Sequence, residues 1–159
     1  MIIDSSKLGP MDIPDDKVIR LEKPILGFER LSSFCLVEVE ELAPFLWLQS
    51  VDEPAVAFLV TNPRTFYPDY RIEVNPKEVA ELQIDNTDDV ETWVIVTLDG
   101  GPNEASVNLQ GPILVNTTNQ RAKQLVLVNS EYRVKHRLMD AVETMGQPEV
   151  ETYAEPVSA

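Results

Sequence analysis

Side chains that could exchange protons or bind a metal near neutral pH are few and scattered in this 159-residue chain, which has one histidine, His136, and one cysteine, Cys35. A general base or an activated nucleophile needs a titrating partner beside it, and neither residue has one close in sequence. His136 lies in "YRVKHRL", where Arg133, Lys135 and Arg137 alternate with Val134, His136 and Leu138. A period of two puts the imidazole on the apolar side, packed and neutral, and the three cations on a solvated strand face. Cys35, in "SFCLVEV", has no basic neighbour to lower its pKa and reads as a small core residue. One Cys and one His fall short of a four-ligand zinc site. The acids of "DNTDDVE", at 85, 88, 89 and 91, come without the mid-loop glycine and distal glutamate of a calcium hand and read as a charged approach to a strand. Gly100 and Gly101 precede Pro102, which has no N–H to offer a phosphate. Adjacent carboxylates such as Asp15/Asp16 and Glu40/Glu41 would point apart on a strand. The pattern predicts no catalytic residue, no metal and no cofactor: a protein that is not an enzyme.

Aromatic bulk is concentrated instead. The stretch "FLWLQSVDEPAVAFLVTNPRTFYPDY", residues 45–70, holds six of the eleven aromatic residues: Phe45, Trp47, Phe58, Phe66, Tyr67 and Tyr70. Alternation within "FLWLQS" sends Leu46, Leu48 and Ser50 to the core side and Phe45, Trp47 and Gln49 to the other. Pro63 and Pro68 bracket Phe66 and Tyr67 and make a stiff loop, one that has already lost entropy that binding would cost. Aromatics rimmed by Arg64 and Asp69 have the composition of interface anchors. The same rings could also fill a core: Phe58 and Trp93 read that way, while Trp47, Phe66 and Tyr67 fit either role.

Short β-branched and aromatic segments between turn residues must position these groups. Strands are predicted near 17–22, 34–39, 45–50, 55–61, 70–74, 91–98, 104–110, 112–116 and 122–128. Asp52-Glu53-Pro54 separates two of them, and residues 99–103 read as a hairpin connection. Asn75, Pro76 and Glu78 form the start signal of a short helix near 76–83. The expected fold is mainly β: a single compact β-barrel-like domain over residues 1–139 with one or two short helices. Residues 140–159 read as an acidic flexible C-terminal tail, or as a partner-induced helix over 138–145 through Leu138, Val142 and Met145.

Charge narrows the partners. The chain has 27 acids against 13 bases, a formal net charge of −14, and without its last twenty residues 22 acids still face 13 bases. Nucleic-acid binding relies on Lys and Arg releasing counterions from phosphates, so direct binding is disfavoured, while a basic protein partner is attracted. No apolar run approaches the ~20 residues of a membrane span, "MIIDSSKLGP" lacks the form of a secretory signal, and a single cysteine suits the cytoplasm. A barrel that stacks single-stranded nucleic acid on its aromatics and a non-regulatory adaptor are the competing readings.

Together, "ILGFE" (25–29), "FLWLQSVDEPAVAFLVTNP" (45–63), "FYPDY" (66–70), "GPILVN" (111–116) and "QLVLVNSEYRVKHRL" (124–138) resemble the flagellar assembly factor FliW family over residues 16 to 138. The chain departs from the family pattern at Leu26, where Pro is usual, at Asn62, where Asp is usual, and at Arg137, where Pro is usual. These differences bear on the loop at 24–29 and on partner affinity. The resemblance implies a β-barrel-like, non-enzymatic protein that binds the RNA-binding translational repressor CsrA, stops it from blocking flagellin mRNA, and also binds flagellin in competition with CsrA. On the residues themselves, the expected protein-binding groove takes apolar contact from Phe45, Trp47, Phe66 and Tyr67, and orientation from Gln49, Asp52 and Asp69.

Overall fold

The computed structural model of the chain describes residues 2–25, 27–98, 104–128 and 131–142. Seven strands close on themselves. They are β3 (Ile19–Lys23), β4 (Ser33–Glu38), β5 (Phe45–Ser50), β6 (Ala57–Thr61), β7 (Val90–Leu98), β9 (Ile113–Asn116) and β10 (Arg121–Gln124). The ring runs β7-β6-β5-β4-β3-β10-β9 and returns to β7, with β3 and β10 parallel and every other pair antiparallel. Closure removes the unpaired strand edges that would template aggregation. A ring of this size has an interior that side chains can fill.

Period two decides what goes inside. Leu48, Val60, Ile113 and Val115 join Ile19, Leu21, Phe34 and Ala122 in the barrel core, with Phe58, Trp93 and Ile95 packed against them. Phe58 and Trp93, each half-buried, therefore pack on the core side, as their sequence context predicts. The opposite faces of the same strands are apolar too. Val94 and Val96 of β7 and Phe45 and Leu59 of β5 and β6 face outward into a second cluster built around Tyr70, Val107, Leu109 and Leu138. Strand β6 is thus covered on both sides, which explains why "AVAFLVT" is apolar on both faces.

The outward cluster needs a cover, and two devices supply covers for the barrel wall. A hairpin of β1 (Ile2–Ser5) and β2 (Gly9–Asp12) lays Ile3 and Met11 over Cys35 and Val37 of β4. On the other side, β8 (Ala105–Val107) pairs with the end of β7 and with the two-residue β11 (His136–Arg137), and the loop 62–75 lies beside them. The helix α1 (Pro76–Val79), continued by a 3-10 turn to Leu82, starts where expected, with the Asn75 carboxamide accepting from Lys77 N–H at 2.9 Å. Lys123 ties it to β10, donating to the Glu78 carbonyl and pairing with the Glu81 carboxylate at 2.7 Å. Gly111 of "GPILVN" has no room for a side chain: a Cβ there would meet the Asn108 carboxamide at 2.8 Å.

Several expectations need correcting. Residues 70–74 form no strand. Tyr70 is instead pulled inward, 2 % exposed, with its hydroxyl donating to Leu109 O at 2.7 Å, so side-chain burial replaces ladder pairing. Strands β1, β2 and β11 were not expected from the sequence; each is four residues or fewer, and β2 contains Gly9 and Pro10, residues that mask a strand signal. Residues 138–142 are helical. Residues 143–159 of the expected tail, the hairpin connection at 99–103 and Leu26 lie outside the described residues. No described helix is long and apolar enough to cross a membrane.

Candidate functional site

Loop 62–75 is shaped by its own short-range bonds. The Asn62 carboxamide accepts from Arg64 N–H at 2.9 Å and opens a 3-10 turn over Pro63–Thr65. Tyr67 N–H donates to Pro63 O at 2.9 Å and Tyr70 N–H to Tyr67 O at 2.9 Å, so two successive turns fold the loop onto the barrel wall. Its fixed points are aromatic. Phe66 stacks on Phe45 of β5 with centroids 5.8 Å apart and planes at 21°. Tyr70 meets Tyr132 at 4.6 Å, and the Tyr132 hydroxyl accepts from Arg71 N–H at 3.1 Å.

Between this loop and residues 131–141 lies an open groove of about 570 Å³, within the size range of ligand pockets. Phe66, Tyr67, Pro68 and Asp69 line one wall, and Tyr132, Arg133, His136, Arg137, Asp140 and Ala141 the other, with Tyr70 and Leu109 beneath. Tyr67 crosses it: its ring meets His136 edge-on at 5.9 Å and its hydroxyl donates to Arg137 O at 3.3 Å. Burial, helped by Asp140, pushes the Tyr67 hydroxyl above the usual phenol range. His136 is half-buried, and its Nε2 accepts from Arg133 N–H at 2.8 Å, which fixes the proton on Nδ1. Desolvation and then the Arg133 cation hold His136 below the ordinary imidazole range, against an opposing pull from Glu131. The imidazole is therefore neutral, as expected, but the alternation behind that expectation fails: only His136–Arg137 are strand, Val134 is exposed, and His136 shares the open groove with Arg133 and Arg137. A smaller depression of about 390 Å³, lined by Arg64, Arg71 and Ile72, adjoins the groove across Pro68 and Tyr70.

The seven candidate residues do not form one site. Phe66, Tyr67 and Asp69 line the groove, and Phe45 supports it from below through Phe66. Trp47 lies elsewhere on the outer wall, half-buried, with the Lys7 ammonium 5.4 Å from its ring centroid. Asp52 is exposed at the opposite end of the strands and accepts from Ser32 and Ser33 N–H at 2.9 and 3.0 Å, closing a turn. Gln49 is fully buried, so no partner reaches it. Its Oε1 accepts from the Ser5 hydroxyl at 2.6 Å, and its Nε2 donates toward Ser50 O, Pro54 O and Val56 O. The alternation placed Gln49 on the outer face correctly; the β1–β2 hairpin then buries that face. Sequence reasoning missed the second wall, although Tyr132 and His136 stand in a segment already conspicuous for its basic residues.

Among the described residues, no group of three or more His, Cys, Asp or Glu could hold a metal ion. Cys35 is buried on the far side, its thiol pushed up by desolvation. Fold and site together define a small closed β-barrel with an open groove walled by aromatic residues on its outer side.

The comparisons with known proteins make that class specific. The sequence profile of the FliW protein family matches residues 2–138. The chain is similar to the flagellar assembly factor FliW of Alkaliphilus metalliredigens, at 32 % identity over 96 % of this chain and 94 % of that protein. It is also similar to that of Geobacillus sp. strain WCH70, at 37 % identity over 82 % and 90 %. A crystal structure of the flagellar assembly factor FliW superposes with a TM-score of 0.81 at 34 % identity, covering 87 % of this chain and 96 % of that one. The chain belongs to the FliW family of flagellar assembly factors.

Proposed function

We propose that this protein works in the cytoplasm as a binding regulator of flagellum assembly, without catalysis. It holds flagellin in the groove between Tyr67 and His136, and it antagonises the translational repressor CsrA, so relieving repression of flagellin translation. The observation that carries this reading is the groove itself: a proline-stiffened aromatic wall facing Tyr132 and His136 across about 570 Å³. An amphipathic helix laid into such a channel contributes apolar anchors at i, i+3 and i+4, and preformed walls lower the entropy lost on docking.

Antagonism of CsrA follows from charge without requiring that the RNA site be covered. A body of net charge −14 seated beside an RNA-binding surface raises the local negative potential and disfavours phosphates. Such antagonism weakens as salt rises, because the Debye length shrinks from about 10 Å at 0.1 M to about 3 Å at 1 M.

The test is co-purification of the full chain with flagellin and with CsrA, followed by competition between them. Binding of both, with each displacing the other, supports the reading. Binding of neither returns the protein to a barrel of unassigned partners. Flagellin bound with undiminished affinity by the folded double variant Phe66→Ala/Tyr67→Ala would move the site away from the groove.

A further inference from the structure

The groove itself mixes its charges: Asp69, Glu131 and Asp140 line it against Arg133 and Arg137. The depression beside it does not. Arg64, Pro68, Tyr70, Arg71 and Ile72 line it, two arginines and no acid. In a chain with 27 acids against 13 bases, two arginines sharing one concavity should draw carboxylates of their own chain. None arrives. Asp69 and Glu73 flank Arg71 in sequence, yet among the described residues neither forms an ion pair with Arg64 or Arg71.

The loop holds both arginines at the root and leaves their donors open. Arg64 Nε donates to Tyr70 O at 3.2 Å, and its terminal nitrogens bond no described residue. Arg71 is fixed through its backbone, whose N–H donates to the Tyr132 hydroxyl at 3.1 Å, while its guanidinium bonds no described residue. Pro63 and Pro68 stiffen the same loop, so less order remains to be lost when a ligand arrives. Each guanidinium presents a planar fork of donors that matches the two oxygens of a carboxylate.

We propose that the Arg64–Arg71 depression is a carboxylate subsite, filled by an Asp or Glu side chain of the partner segment that lies in the groove. Pro68 and Tyr70 belong to both concavities, so one segment can set a single side chain across them. Pro68 and Ile72 give the methylene stem of that acid an apolar seat. Asp69 and Glu73 temper the positive field, which suits the single charge of a carboxylate better than the near-double charge of a phosphate. Both arginines are exposed, so solvent screens the contact and it sorts ligands more than it adds affinity. The source of the carboxylate rests on the groove being the flagellin site; the subsite itself does not.

The first arm of the test needs no partner. The full chain is titrated with sodium acetate at constant ionic strength and pH 7, and the arginine Nε–H signals are followed by NMR. Saturable shifts are expected at Arg64 and Arg71, half complete below about 100 mM acetate. The response at Arg30, two residues before the Ser32–Asp52 bond at the opposite end of the strands, should be at least threefold weaker. Arg71→Gln removes no side-chain bond to a described residue, and it should weaken the acetate binding seen at Arg64 at least threefold. Shifts that never saturate, an equal response at Arg30, or indifference to Arg71→Gln overturn the subsite. Inorganic phosphate binding more than threefold tighter than acetate overturns its choice of carboxylate. In the second arm, flagellin should bind Arg71→Gln about threefold more weakly than wild type at 0.1 M salt, the gap closing at about 1 M. Equal binding by both proteins overturns the assignment of the carboxylate to the partner. A wild type that binds no flagellin overturns the groove reading alone and leaves the acetate result standing.

Discussion

Two covers lie over the outer wall of one barrel, and they finish differently. On the β4–β5 side, the N-terminal hairpin closes down completely: Ile3 and Cys35 are buried, and Gln49 spends its carboxamide on Ser5 and three backbone carbonyls. On the β6–β8 side, loop 62–75 is held by turns and rings but pairs with no strand, and an open groove remains between it and residues 131–141. A paired hairpin meets its backbone hydrogen bonds with its own second strand and can lie flush. A loop stiffened by Pro63 and Pro68 cannot ladder and meets the wall through its rings rather than its backbone. The closed cover buries the face beneath it; the open one leaves a groove exposed.

The strongest way to break this contrast is Gln49→Ala. It leaves a cavity in the closed cover and the buried Ser5 O–H without its acceptor, while Pro54 O and Val56 O keep their donors Ser6 N–H and Ser50 N–H, and the expected loss is about 3 kcal/mol of folding stability, measured by urea denaturation. Flagellin affinity of the folded fraction should be unchanged. An affinity loss greater than the unfolded fraction explains would return Gln49 to the binding surface. The complementary variant is Phe66→Ala/Tyr67→Ala in the open cover. The expected loss is about 2 kcal/mol in flagellin binding, roughly thirtyfold in Kd, with a smaller change in stability. If denaturation shows the larger loss to be in folding, the rings are core after all.

These two variants also mark where the sequence was legible. Alternation in "FLWLQS" identified Leu48 as interior and Gln49 as outer correctly, because period two is a property of the strand alone. It could not tell that the outer position beside Ser5 would be sealed, since the sealing hairpin includes Gly9 and Pro10 and Ser5 lies 44 residues upstream in the chain. The bracketing prolines made Phe66 and Tyr67 readable as a loop. Tyr70 was misread as the start of a strand, because its role depends on a bond to Leu109, 39 residues away. The groove's second wall was invisible for the same reason: Tyr132 and His136 approach Tyr67 only through the pairing of β11 with β8.

Tyr70 joins the two halves of the open side, and Tyr70→Phe sharpens the contrast by removing one atom. It leaves the ring tilted against Tyr132 and deletes only the 2.7 Å bond to Leu109 O. The expected cost is about 1 to 1.5 kcal/mol in thermal or chemical denaturation. The variant should also gain relative stability in alkali. Burial foremost, then Tyr132, raises the folded phenol far above its ordinary value of about 10. The unfolded chain therefore loses this proton first, and wild-type stability falls as pH rises beyond about 10. A Tyr70→Phe protein with an undiminished alkaline slope would assign that slope to other groups, Tyr67 first.

His136 predicts the smallest effect, at the other end of the pH scale. Desolvation and Arg133 lower its folded pKa below the ordinary value of about 6.5. Between the two values the unfolded chain binds the extra proton, so stability is full above about pH 6.5 and falls as pH drops through the window toward the folded pKa. Protonation would also remove the acceptor that Arg133 N–H uses at 2.8 Å, placing a second donor where the wall now has a lone pair. The open cover should therefore loosen in mild acid while the closed cover, which has no imidazole, holds. Amide exchange at pH 5.5 against pH 7.5, corrected for intrinsic rates, should show lost protection at Arg133 and Arg137 with none at Ser5 or Cys35. Equal loss on both sides would make the acid response global and uncouple it from the groove.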